Sequence, residues 1–239
     1  MQYAQDVGEL HESVQRRGFL DLLAQRDRDD LAEMGTFRRY RAGERVMSQG
    51  DESDFVVVVL EGEVKVTLDT PDGREVVLNI YGHGDVVGEF EALGGYTTRT
   101  ANVVALETIG CRVLTKQAFL DYLMAHPGAS LALVRLMIRR LAAADRRRVD
   151  ATTADASHTL ATFLIELVRW DGAAGEDAPE VHFPLAQHDL ASLLGVSRNS
   201  IVRALSRLRS RNLVVTSRGT IRIVNVPALR RYVESPPEG

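Results

Sequence analysis

From Ala129 to Ala156 the chain runs without a proline or a glycine, and this stretch constrains the fold more than any other. Within it Leu131, Val134, Ile138 and Leu141 recur at alternating spacings of three and four, the apolar seam of a two-stranded coiled coil. Continuing that spacing reaches Asp145, Arg148 and Thr152, so the seam turns polar halfway along. A helix of about 28 residues is roughly 40 Å long. That exceeds what a small β domain can cover, so the segment is expected to divide the chain and to pair with a second copy of itself.

The texture differs on the two sides of this helix. Upstream, Phe37 to Leu114 is written in short β-branched runs: Asp54 to Leu60, Gly62 to Leu68, Glu75 to Ile80 and Ala101 to Leu114. Between them stand the turn signals Ala42-Gly43, Gly50-Asp51, Glu61-Gly62, Pro71-Asp72-Gly73 and Gly82-His83-Gly84-Asp85. Short strands at such spacing predict an all-β sandwich or barrel of about 75 residues. Short helices within residues 10–35 precede it, with Phe19, Leu20, Leu23, Leu31 and Met34 at helical spacing, and a helix from Lys116 to Ala125 closes it. Downstream, an apolar helix from Thr159 to Trp170 leads into the Gly-, Ala- and acid-rich loop Asp171 to Glu180. A short helix from Pro184 to Gly195, a second from Arg198 to about Arg211, and a strand–turn–strand from Leu213 to Val226 follow.

Charge is segregated along the same division. The formal net charge is −4, yet Leu190 to Val233 holds nine arginines, no lysine and no acid. Taking those nine from the 29 basic residues leaves 20 against 33 acids, a charge of −13 for the remainder. An anion-binding module joined to an acidic partner domain has this signature.

Other classes are disfavoured. With 45% hydrophobic and 26% charged residues the chain can bury a core. No apolar run approaches the roughly 18 residues that cross a bilayer, and Met1 to Leu10 lacks the order of a signal peptide, so a cytoplasmic protein with no membrane partner is expected. The single cysteine, Cys111, can form neither an intramolecular disulfide nor a four-thiolate cluster. A catalytic barrel would need a metal cluster, but His11, His83, His126, His158, His182 and His188 are scattered. No catalytic residue and no metal site is therefore expected.

The basic block has the order of a helix-turn-helix, whose second helix enters the major groove with its N-terminal residues facing bases. Gly195-Val196-Ser197 is the turn. Ile201, Ala204, Leu205 and Leu208 supply a buried face, leaving Arg198, Asn199, Val202, Arg203 and Ser206 outward. Ser197 is placed to cap the helix. Arginine reads guanine and asparagine reads adenine, each bidentately. Arg207, Arg209, Arg211 and Arg218, the last at the hairpin tip, suit phosphates or stand as solvated arginines.

Gln187 to Arg203, QHDLASLLGVSRNSIVR, resembles the helix-turn-helix signature of the Crp/Fnr superfamily of bacterial transcription regulators. Tyr40 to Phe90, YRAGERVMSQGDESDFVVVVLEGEVKVTLDTPDGREVVLNIYGHGDVVGEF, is similar in order and spacing to that family's cyclic-nucleotide-binding β-roll. The resemblance implies an α+β chain: a β-roll of the double-stranded jelly-roll kind with its N-terminal helices over 1–128, a dimerisation helix over 129–156, and a winged helix-turn-helix over 157–239. It further implies a homodimer on a palindromic double-stranded DNA operator, with half-sites about 34 Å apart. Family members touch RNA polymerase from the position of loop Asp171 to Glu180, where the residues here do not match. Others sense gases through a haem or a four-cysteine cluster, for which Cys111 and the turn residue His83 offer no ligand set.

The family's phosphate-binding cassette corresponds to GEFEALGGYTTRTA. The resemblance implies Glu89 for a ribose hydroxyl, with Arg99, Thr100 and the amides of Gly88 to Phe90 for the cyclic phosphate. A buried ion pair between Glu89 and Arg99 is the alternative. Where cyclic-AMP-binding relatives hold adenine with a hydroxylic pair on the long helix, a gap-free match on Arg139-Arg140-Leu141 puts Ala144 and Asp145. A carboxylate suits the N1–H and 2-amino donors of guanine, and Thr100 in place of serine also resembles cyclic-GMP-binding domains. The expected effector is thus cyclic GMP ahead of cyclic AMP, unless Asp145 pairs with Arg146 or Arg148 across the seam. A regulator that binds DNA without a ligand, its roll vestigial, stays open beside it. Asn199 stands where the cyclic-AMP-responsive relatives carry glutamate, so a shifted operator sequence is expected.

Overall fold

The computed structural model describes residues 18–153, 155–170, 180–181, 187–217 and 220–235. Arg218 lies outside them. The chain divides into two compact units, Met1–Ala142 and Ala143–Gly239.

In the first unit a 3-10 turn, Leu20–Leu22, and helix α1, Gln25–Glu33, precede the strands β1 (Thr36–Tyr40), β2 (Arg45–Met47), β3 (Phe55–Glu61), β4 (Val64–Asp69), β5 (Glu75–Tyr81) and β6 (Val86–Val87). A short helix α2 (Glu89–Gly94), strands β7 (Asn102–Ala105) and β8 (Ile109–Thr115), helix α3 (Lys116–Ala125) and the long helix α4 (Pro127–Thr153) complete the run. The strands form two antiparallel four-stranded sheets, in the orders β1-β8-β3-β6 and β2-β7-β4-β5.

The stretch Ala101 to Leu114, expected as one β run, is two strands in different sheets. Leu106 to Thr108 carries the chain from one sheet to the other, and the backbone turn leaves no alternation by which the sequence could mark the crossing.

Two cores follow from the pleat. In β3 successive side chains point to opposite faces. Val56 and Val58 pack with Phe19, Leu31, Leu114, Phe119, Tyr122 and Leu133 under the helices, while Val57 and Val59 pack with Val64, Val103, Ile109 and Cys111 between the sheets. A strand buried on both faces must be apolar throughout, which is why Phe55 to Leu60 reads as a continuous run. Helix α3 begins where Thr115 accepts a hydrogen bond from the Ala118 amide.

Helix α4 has two apolar faces. Ala129, Ala132, Leu133 and Leu136 are buried against the roll. On the far side Leu131, Val134, Ile138 and Leu141 are 50–63% exposed.

The second unit begins within α4 and continues with α5 (Ala156–Trp170), β9 (Glu180–Val181), α6 (Gln187–Leu194), α7 (Arg198–Ser210), β10 (Val214–Ser217), β11 (Thr220–Ile223) and α8 (Val226–Glu234). Strands β10, β11 and β9 form an antiparallel wing sheet, and α5 packs against α7 and α8. Strand β9 and helix α8 are additions to the sequence reading. Among the described residues no helix is long and apolar enough to cross a membrane.

Two polar contacts tie α1 to the end of α3: the Tyr122 hydroxyl donates to the Asp27 carbonyl at 2.8 Å, and His126 meets Asp30. His126 donates from Nδ1 to the Tyr122 carbonyl (2.9 Å), and its Nε2 lies 3.0 Å from the Asp30 carboxylate. Both nitrogens meet acceptors, so the doubly protonated ring is favoured and the His126 pKa rises above its usual 6.5. A raised folded pKa adds stability that is fully present below the unfolded value and is lost as pH rises through the folded one. Thermal melts are expected to show a fall in Tm between about pH 6 and about pH 8 that His126→Gln flattens.

Candidate ligand pocket and nucleic-acid interface

The candidate pocket is built on α2 and the segment after it. Gly88 enters α2 at φ +83°, and a Cβ there would sit 2.7 Å from Met47 Cε and 3.0 Å from the Phe55 carbonyl oxygen. Only glycine suits such a position. The helix brings two acids inside, Glu89 and Glu91, and turns Phe90 outward, 55% exposed and stacked on Tyr96 at 5.4 Å.

Arg99 is 3% exposed and donates from all three nitrogens. Nε bonds Ser53 Oγ (2.5 Å), Nη2 bonds the Phe55 carbonyl (2.5 Å), and Nη1 bonds the Glu91 carboxylate (3.2 Å) and the Gly88 carbonyl (3.5 Å). Thr100 gives both donors to the same Glu91, the amide at 2.9 Å and the hydroxyl at 2.7 Å. Burial pushes the Glu91 carboxyl up, but the bonds from Thr100 and the charge of Arg99 outweigh it, holding Glu91 below the usual carboxylate range. An open cleft of about 480 Å³ adjoins this cluster, lined by Glu52, Ser53, Phe55, Glu91, Arg99 and Lys116.

Glu89 does not pair with Arg99. Its Oε1 accepts from Arg140 of α4 at 2.5 Å, and Arg140 also bonds Asp85 (3.1 Å) and the Val86 carbonyl (3.0 Å) while lying over the Tyr81 ring at 4.0 Å. Burial pushes the Glu89 and Asp85 carboxyls up, and the Arg140 guanidinium opposes the rise. The alternative of a Glu89–Arg99 ion pair is thus replaced by two separate pairs, Glu89–Arg140 and Glu91–Arg99.

Glu91 and Arg140 were not singled out as site residues. A second acid inside a short buried helix was the available signal for Glu91. Asp145 is exposed on the long helix, in the second unit. His83, in its turn, directs Nδ1 to the Leu60 carbonyl at 2.7 Å.

In the second unit α7 divides as its spacing requires. Ile201, Ala204, Leu205 and Leu208 are buried, and Arg198, Asn199, Val202, Arg203 and Ser206 are exposed. Ser197 caps the helix by accepting from the Ser200 amide at 3.1 Å. Arg207 bonds Asp155, and Arg209 reaches the Thr216 hydroxyl.

A β-roll with a buried arginine beside an open cleft, followed by a capped helix-turn-helix with a basic face, defines a class: a cyclic-nucleotide-binding-type domain joined to a helix-turn-helix domain. Residues 37–126 match the cyclic nucleotide-binding domain, and residues 159–232 match the Crp-like helix-turn-helix domain. The chain belongs to the Crp/Fnr superfamily of transcription regulators, which are not enzymes. It is 27% identical over 172 residues to the CRP-like cAMP-activated global transcriptional regulator of Mycobacterium tuberculosis, covering 72% of this chain and 76% of that one. Against the cyclic AMP receptor protein of Thermus thermophilus it is 27% identical over 186 residues, 78% and 82% of the two chains. The fold also matches FixK2 of Bradyrhizobium japonicum with a TM-score of 0.69 at 21% identity, over 83% of this chain and 96% of that one.

Replacing Arg140 with methionine strands two buried carboxylates. The variant is expected to lose about 3–5 kcal/mol at neutral pH. Since a buried carboxyl is tolerated only when protonated, part of that loss should return as pH falls through the raised values of Glu89 and Asp85. Urea melts at pH about 7 and about 5 check both points.

Proposed function

We propose that the chain works in the cytoplasm as a homodimeric, sequence-specific transcription regulator, reading DNA with α7 and taking a small ligand of the cyclic-nucleotide class in its roll. The observation that carries the DNA reading is the division of α7 into a buried apolar face and an outward face of Arg198, Asn199 and Arg203. Arg198 and Arg203 would read guanine and Asn199 adenine. The capped N-terminus at Ser197 offers amides to a phosphate, and Arg218, between β10 and β11 in the sequence, is assigned to the DNA backbone. Arg207 joins them only if DNA draws it from Asp155.

Residues 1–128 would sense, 129–156 would dimerise and 157–239 would bind DNA. The bare stripe Leu131, Val134, Ile138 and Leu141 supports a two-helix seam. For the ligand, the relatives named for cyclic AMP support a cyclic nucleotide, and Asp145 with Thr100 supports cyclic GMP ahead of cyclic AMP. Glu89, Arg99, Thr100 and the Gly88 to Phe90 amides would contact it. One observation favours a second reading, a regulator indifferent to nucleotides: Glu91 already engages Arg99 and Thr100.

Selection from a random pool followed by footprinting, with and without cyclic AMP and cyclic GMP, tests the proposal. A palindromic site whose affinity falls by roughly 10³ to 10⁵ between 50 and 200 mM salt is expected from about 6–10 phosphate contacts. Flat salt dependence would sink the DNA reading. Arg203→Ala should relax specificity at one base pair, costing about 1–3 kcal/mol on the selected site and little on random DNA. Paired Ile138→Glu and Leu141→Glu substitutions should give monomers by sedimentation, and dimers that persist would refute the seam.

A further inference from the structure

We propose that Glu91 is a built-in anion that fills the anion subsite of the roll, so that a cyclic nucleotide binds only by displacing it. This rests on the roll being the ligand-sensing part of the regulator. It adds the residue that decides whether that part accepts an anionic ligand at all.

The donors are already in use. A cyclic phosphodiester presents two oxygens sharing one negative charge, and so does a carboxylate. Oε1 of Glu91 accepts from the Thr100 amide and hydroxyl, and Oε2 accepts from Arg99 Nη1. These are the groups the cassette would aim at a phosphate. The rest of Arg99 is committed to Ser53 Oγ and to the carbonyls of Phe55 and Gly88, so the guanidinium cannot swing away to serve two anions in turn. Its 3% exposure makes that fixation costly to undo. The bonds from Thr100 and Arg99 keep Glu91 ionised at neutral pH, as a stand-in for phosphate must be.

Glu91 is also well placed to leave. It lies on a six-residue helix beside an open cleft of about 480 Å³. The roll therefore has two states, Glu91 in and Glu91 out. A ligand populates the second only by as much as it outbids the carboxylate.

The experiment is calorimetry on the full-length chain with cyclic AMP and with cyclic GMP, for the wild type, Glu91→Ala and Glu91→Gln, with footprinting on the selected operator in parallel. Both variants are expected to bind at least one of the nucleotides about tenfold to a hundredfold more tightly than the wild type, the scale of one charged hydrogen bond. Adding Arg99→Ala to Glu91→Gln should abolish the gain. Glu91→Ala leaves Arg99 without its buried carboxylate and can unfold. Glu91→Gln keeps an acceptor for Thr100, and a rise in its Tm on adding nucleotide, larger than that of the wild type at the same concentration, reads the same event. Equal affinity in the wild type and the variants, or no binding by any of them, overturns the inference. An intact footprint in either case leaves the regulator reading standing, whereas a wild type that protects no DNA sinks that reading.

Discussion

The double-sided burial of β3 is the constraint on which the N-terminal unit depends. Val56 and Val58 belong to the core under the helices, and Val57 and Val59 to the core between the sheets, so the strand joins two packing layers. Each such valine contributes about 1.5–3 kcal/mol by leaving water, an upper bound for a chain that is partly collapsed when unfolded. The same strand places the polar parts. Its Phe55 carbonyl receives Arg99, and its pairing with β6 delivers the chain to Gly88. Val59 exchanges backbone bonds with the turn that carries Asp85. The pocket is therefore anchored to a strand buried on both faces.

Helix α2 is held on two sides by buried ion pairs. Residues two apart on a helix lie about 200° apart around its axis, so Glu89 and Glu91 face different ways. One meets Arg140 from the long helix, and the other meets Arg99 from the segment before β7. Buried pairs add little net stability against an apolar alternative, because desolvation offsets the attraction. Their effect is geometric: breaking either pair leaves an uncompensated charge, so α2 has one favoured orientation. A ligand that claims Arg99 must supply the anion that Glu91 withdraws.

Much of this was legible in the residues, and the illegible parts share a cause. Helix α3 was readable from Lys116 to Ala125, and the α7 face from Ile201, Ala204, Leu205 and Leu208, since periodicity alone sets them. The crossing between β7 and β8 was not, for both strands are β-branched and the break falls in an ordinary Leu-Glu-Thr. Nor was the partnership of Arg99. Sequence places Glu89 and Glu91 equally near it, and only the handedness of a one-turn helix decides which acid turns toward it. Arg140 gave no signal of its role because its acceptors, Asp85 and Glu89, come from a turn and a helix more than fifty residues away. Helix α8 was hidden by Pro227 near its start, which breaks a helix interior but suits a first turn.

The long helix joins these threads. Its buried face holds Ala132, Leu133 and Leu136 against the roll and sends Arg140 into the acids behind α2, while its opposite face is the bare stripe of the proposed seam. One helix thus carries the roll's buried cation on one side and the exposed apolar stripe on the other. A ligand that competes for Glu89 would loosen Arg140, which sits on the same helix as the stripe of the proposed seam. No long chain of side chains is needed for such coupling, because the helix is itself the shared part. The chain outside Leu190 to Val233 carries −13 and that block +9, so in the proposed complex the duplex would meet the basic block and be repelled by the rest. In the proposed dimer, a ligand would act on DNA through the spacing of the two basic blocks, which the proposed seam would set.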